Sequence, residues 1–215
     1  MAKRSRSTRF PDRRPPRREP YDRILIVIEG SKTELYYFQL LIDKLKLSTA
    51  NIEVDPDSGS APQSVVRHAK QQYKQSLRSG DGFDRVYCVF DKDQHPGYQD
   101  AINAVKTAQP ANVFYVAPSV PCFEYWLLLH FEYTTKPYAQ RGQRSPADCV
   151  KDDLRQYLPA YDKSDLHTFE EVMPHVDTAI EHARRANSAA KRNDTDNPST
   201  GVNLLVEYLQ NLKHT

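Results

Sequence analysis

Three acidic side chains stand where apolar segments end. Ile24-Leu25-Ile26-Val27-Ile28 runs into Glu29-Gly30, and a second apolar segment ends in Phe90-Asp91-Lys92-Asp93. If both segments are neighbouring parallel strands, Glu29, Asp91 and Asp93 meet at one edge of a sheet. Carboxylates held that closely repel one another unless a hard cation such as Mg²⁺ lies between them. Mg²⁺ needs only one or two protein carboxylates and keeps water or phosphate oxygens on its other faces, so this set suffices. The chemistry suggested is metal-assisted work on phosphates. The plain alternative makes Glu29 a surface carboxylate and Asp91 and Asp93 turn or cap residues.

Several neighbours fit the same idea. Gly30 has no side chain, so a phosphate can approach its backbone N–H, and the helix that follows adds a partial positive charge. Lys32 falls in the first turn of that helix, as a phosphate contact or as an exposed helical lysine. Glu34 reads as the partner of Ser31 in a capping box rather than as a further ligand. Glu124 is an acid in the otherwise apolar run Pro121–Phe131 and therefore needs a partner or an ion. His95, two residues beyond Asp93, can shuttle protons, but a loop histidine before Pro96 is more often incidental. Lys136, Lys163 and Lys191 are candidate cations that nothing in the sequence separates.

The elements that must position these groups alternate in period. Strands are expected over Arg23–Glu29, Asn51–Val54, Asp84–Phe90 and Asn112–Ala117. Helices fall between them: one from Ser31 to about Leu47, one from Pro62 to about Arg78, one near Tyr98–Ala108. That order argues for an α/β fold with a mostly parallel, four-stranded, Rossmann-like sheet flanked by helices. Beyond Pro118 the strand signal stops. Helices are expected at Pro121–Phe131, Ala147–Tyr157, Met173–Lys191 and Thr200–Leu212, with Trp126, Phe123 and Phe131 in the core. The division expected is a basic arm (1–20), an α/β core (21–135) and a helical C-terminal extension (136–215).

Composition bounds the class. The 215 residues are 39% hydrophobic and 27% charged, which is ordinary for a globular chain, and no apolar run approaches a membrane span. The arginine-rich start has no apolar stretch behind it, unlike a secretory signal. Cys88, Cys122 and Cys149 show no metal-binding or disulfide spacing; Cys88 and Cys122 are expected in the core, and a cytoplasmic, reducing location follows. The net charge of +2 hides an asymmetry. Residues 1–20 hold eight basic groups, among them Arg13, Arg14, Arg17 and Arg18, against Asp12 and Glu19. A proline-punctuated cationic arm on a mildly acidic body suggests a disordered tail that binds polyanions such as DNA or RNA, or a simple solubilising extension.

The pair Ile28-Glu29-Gly30 and Asp91-Lys92-Asp93 resembles the Toprim domain, the catalytic fold shared by topoisomerases, bacterial primases and OLD-type nucleases. More closely, Glu29-Gly30-Ser31-Lys32-Thr33-Glu34, Phe90-Asp91-Lys92-Asp93, Pro121-Cys122-Phe123-Glu124-Tyr125-Trp126 and Asn197-Pro198-Ser199-Thr200 are similar to the successive signatures of the RloB-like family. The resemblance spans residues 23–212. One departure is Val120, where that family usually places Asn, which weakens a side-chain amide role at this spot. The resemblance implies a Toprim-like nuclease linked to restriction-associated and abortive-infection loci, acting in phage defence. It gives Glu29 the general acid/base role or a share in the metal, and Asp91 and Asp93 the Mg²⁺ (or Mn²⁺). Glu124 then acts at or behind the site. A nucleic-acid- or ATPase-binding module on the same scaffold that cuts only when a partner licenses it, or never, is the rival, and a companion ATPase or a homo-oligomer stays open as a partner.

Overall fold

The computed structural model describes residues 22–30, 32–49, 51–163 and 166–212. The basic arm, with Arg13, Arg14, Arg17 and Arg18, lies outside them, as does Ser31. Strand β1 (Ile24–Ile28) is fully buried along its length, as expected of a central strand covered on both faces. It is flanked by β2 (Ile52–Asp55) and β3 (Arg85–Asp91), and β3 by β4 (Phe114–Val120), all parallel. Alternation sends Ile24, Ile26 and Ile28 to one face and Leu25 and Val27 to the other.

Five strands stand where four are expected. Ser199–Thr200 forms β5, pairing antiparallel with the end of β4 and giving the order β2-β1-β3-β4-β5. This stretch reads locally as a turn and helix cap. It becomes a strand only because Ser119 and Val120 offer it an open edge. The following helix accordingly starts at Val202, not Thr200.

Helices cover both faces. On one lie α1 (Thr33–Lys44), α4 (Phe123–Leu128), α5 (Pro146–Leu154), α6 (Leu166–Val172), α7 (Val176–Arg192) and α8 (Val202–Asn211); on the other lie α2 (Pro62–Ser79) and α3 (Tyr98–Lys106). Their boundaries follow local chemistry. Pro62 sits in the first turn of α2 and Gly80 closes it in the left-handed conformation, φ 85°. Ser145 and Asp148 form a capping box on α5. The single helix expected over 173–191 divides: Met173–His175 forms a 3-10 turn between α6 and α7, with Pro174 unable to supply a helical N–H there. Trp126 and Phe123 are buried. Ile26→Val removes one methylene from this packed centre and is expected to lower stability by about 1 kcal/mol, read as a shift in urea midpoint.

The chain moves from β1 to β2 on one side and returns past β1 to β3. The connections leaving β1 and β3 turn to opposite faces: α1 packs with the Ile24 face, α3 with the Leu25 face. A crevice opens at the carboxyl ends of two strands where the order reverses like this. Glu29 and Asp91 lie at those two ends.

Candidate functional site

The sheet brings the first pair together directly. Glu29 continues from β1, its backbone N–H donating to the Val89 carbonyl at 3.1 Å. Its carboxylate reaches across to accept the Asp91 N–H at 3.0 Å. Ser58, in the loop after β2, donates to the Ile28 carbonyl at 2.7 Å and fixes the end of β1 from the other side. His95 stands 3.4 Å from the second Glu29 oxygen. The histidine taken as incidental in the sequence is therefore a neighbour of the candidate acid.

The capping box expected of Ser31 and Glu34 falls on Ser31, outside the described residues; the N-cap assigned to α1 is Lys32, with no side-chain cap. Glu34 is buried and its carboxylate folds back over Gly30: a Cβ placed on Gly30 would meet Glu34 Oε2 at 2.1 Å. The missing side chain at Gly30 thus makes room for a carboxylate, in the space the sequence reading gives to a phosphate. Lys32 is exposed.

Asp91 is the centre of the cluster. Burial, then Glu34, Glu124 and Glu29 in turn, push its carboxyl well above the usual range, opposed by the Phe123 N–H. Burial likewise raises Glu34 to about 7, helped by Glu124 and Glu29. Glu29 is also raised by burial, against the Asp91 N–H and His95. Asp93 is exposed in a left-handed turn, φ 31°, with its N–H on the Pro121 carbonyl at 2.9 Å. Its charge acts weakly on Glu29. The turn after Asp91 therefore sets Asp93 on the rim, while Glu34 and Glu124 stand with Glu29 and Asp91.

Glu124, in the first turn of α4, has found its partner. Burial would raise it, but Lys163 Nζ at 3.0 Å and a hydrogen bond from Cys122 hold it below the ordinary value. Tyr161 donates to the same oxygen at 3.2 Å. Of the three lysines left open by sequence, Lys163 is the one at the cluster; Lys136 pairs with Asp153 at 2.6 Å. Cys122 is buried as expected and lines the site, its thiol pushed up by burial and by Glu124 and Asp91. Tyr161 also approaches Thr33, yet the buried Thr33 hydroxyl completes no hydrogen bond of normal length. Glu124→Gln is expected to cost about 1 kcal/mol in thermal melts, a modest loss because the half-exposed Lys163 can turn to water.

The donor set suits a hard divalent cation. It is all carboxylate oxygen, and Asp91 and Glu34 carry no ion pair among the described residues. The raised acids and the unpartnered Thr33 hydroxyl mark a site built at the expense of its own electrostatics. Among the described residues, however, no three His, Cys, Asp or Glu side chains form a ready-made cage. Mg²⁺ asks for less than such a cage, since one or two carboxylates suffice and water or phosphate completes the shell.

A mostly parallel sheet covered on both faces, with an acid cluster at its reversal point, defines an α/β protein whose crevice lies at its strand ends. The profile of the RloB-like protein family matches residues 24–209, and the chain belongs to this family. No curated protein matches it. Among the described residues no helix is long and apolar enough to cross a membrane.

Proposed function

We propose that this protein is a Mg²⁺- or Mn²⁺-dependent nuclease of Toprim-like type, hydrolysing phosphodiesters of DNA or RNA in phage defence. The observation that carries the reading is the raised carboxyl of Asp91, crowded by Glu34, Glu124 and Glu29 at the strand ends. Burying several mutually repelling acids costs stability, and a divalent cation relieves that cost. Asp91 and Glu29 are the ligands proposed, with Asp93 reaching in from the rim. Held there, such an ion would polarise a bound phosphate and lower the pKa of a bound water.

The chain's own groups supply the rest. Glu34, ready to take up a proton near neutral pH, is placed to act as general base, and His95 beside Glu29 is a second proton carrier. Glu29 keeps its orientation through the Asp91 N–H. Lys163 neutralises Glu124 and brings a cation to the phosphate side. That pairing also favours a second reading, in which a partner such as an ATPase releases Lys163 from Glu124 before cutting begins. Incubating purified protein with Mg²⁺ or Mn²⁺ and a panel of DNA and RNA, including RNA from phage-infected cells, tests the activity. Cleavage that EDTA abolishes is expected; no cleavage of any substrate, alone or with a partner ATPase, refutes it.

A further inference from the structure

A groove of about 750 Å³ runs between α2 and α3, on the face of the sheet opposite α1. One wall is the outer face of α2, where Arg67, Lys70, Lys74 and Arg78 follow one another at helical spacing. Successive members are about 4.5–6 Å apart along the axis. The other wall carries Ala101 and Ala104, small residues that leave the space open. Helix α2 holds four Lys and Arg and no Asp or Glu. Among the described residues none of these four cations is in an ion pair. Arg67 reaches only Ser64 at 3.0 Å, and Lys70 the Ala104 carbonyl at 2.9 Å. A helix face used merely for solubility mixes both signs; this one does not.

One end of the groove lies toward the acid site. Its mouth is Gln63, whose amide lies against Gly97: a Cβ there would meet Gln63 Nε2 at 1.8 Å. Gly97 is two residues beyond His95, which stands beside Glu29. The N-termini of α2 and α3 both lie at the carboxyl end of the sheet, so the basic row leads away from the carboxylates toward Gly80.

We propose that the α2–α3 groove holds the phosphodiester backbone of a single nucleic-acid strand and delivers it to the carboxylate cluster. The inference rests on the nuclease reading and adds to it the path of the substrate. A space of this order suits a drug-sized ligand, hence a short run of one strand rather than a duplex. Cations and amides line it and no aromatic ring does, so it grips phosphates and ignores base identity.

The test is fluorescence anisotropy of labelled single-stranded RNA and DNA with the full chain in EDTA, which separates binding from cutting. Arg67→Glu/Lys74→Glu is expected to weaken binding about tenfold or more and to flatten the salt slope by about 0.7 for each phosphate that the groove no longer neutralises. Lys74→Gln/Arg78→Gln, milder and at exposed positions, is expected to weaken it about threefold and covers the case in which the double reversal unfolds. Weaker binding with either sugar supports the groove, and the strand that weakens more is its substrate. Unchanged affinity and slope, no binding by wild type, or displacement of the oligonucleotide by an equal charge of polyglutamate overturns it. Groove-dependent binding without cleavage in Mg²⁺ would instead leave the groove standing and remove the nuclease reading.

Discussion

Asp91→Asn is expected to cut metal-dependent cleavage by about a thousandfold, roughly 4 kcal/mol of transition-state stabilisation, while making the protein more resistant to heat. The two effects have one origin. Asp91 lies among three other carboxylates, and burial with their charges raises its carboxyl well above the ordinary value. Asparagine keeps the shape and removes the charge, so the repulsion disappears and the fold gains. The same change removes one of the two carboxylates proposed to hold the metal, so metal binding is expected to gain nothing from the relief. The Glu29 hydrogen bond survives, because it uses the backbone N–H of residue 91 and not its side chain. Single-turnover cleavage and thermal melts at neutral pH measure both. A variant that cuts as well as wild type shows Asp91 misassigned. A variant that loses activity together with stability shows that Asp91 holds the fold and says nothing for catalysis.

The parallel core and its first acid pair were legible because their signals are local and periodic. Five consecutive β-branched or aliphatic residues before Glu29 leave little choice but a buried strand. A second such run before Asp91 makes their pairing the simplest arrangement. What could not be read depends on residues distant in sequence. Ser199–Thr200 is a strand only because β4 ends with a free edge. Glu34 lies over the empty face of Gly30, and no local spacing announces that it joins Asp91 there. Lys163 reaches Glu124 from 39 residues away, with nothing in its own neighbourhood to distinguish it from Lys136 or Lys191. One signal was available and underweighted: His95 lies in the same short turn as Asp93, so any geometry that brings Asp93 to the crevice brings His95 too. The basic row on α2 was also in plain view, since four cations without an acid over 18 residues is a one-sided composition.

Stability should fall as pH rises from about 5 to 8, and Mg²⁺ should restore it at the upper end only. In the fold Glu34 takes up its proton near 7, against 4.5 for the free side chain. Between those values the folded chain binds a proton that the unfolded chain has released, so raising the pH favours unfolding. The penalty is absent below about 4.5 and complete above about 7. At about 1.4 kcal/mol per pH unit it amounts to roughly 3 kcal/mol. Asp91 and Glu29 are shifted the same way and deepen the slope. Glu124 is shifted oppositely, but its contribution is lost only as pH falls through the acid range, outside this window; buried His130, pushed down to about 3, opposes the slope only up to its ordinary 6.5, so the fall is steepest above that value. A divalent ion competes with those protons, so it binds and stabilises where the cluster is ionised and does little at pH 5. Glu34→Gln should flatten the slope and raise the melting temperature at pH 8 above wild type without Mg²⁺. Thermal melts at the two pH values, with and without Mg²⁺, decide the matter. A level or rising profile, or equal stabilisation by Mg²⁺ at both, would mean that the four carboxylates do not share one electrostatic site.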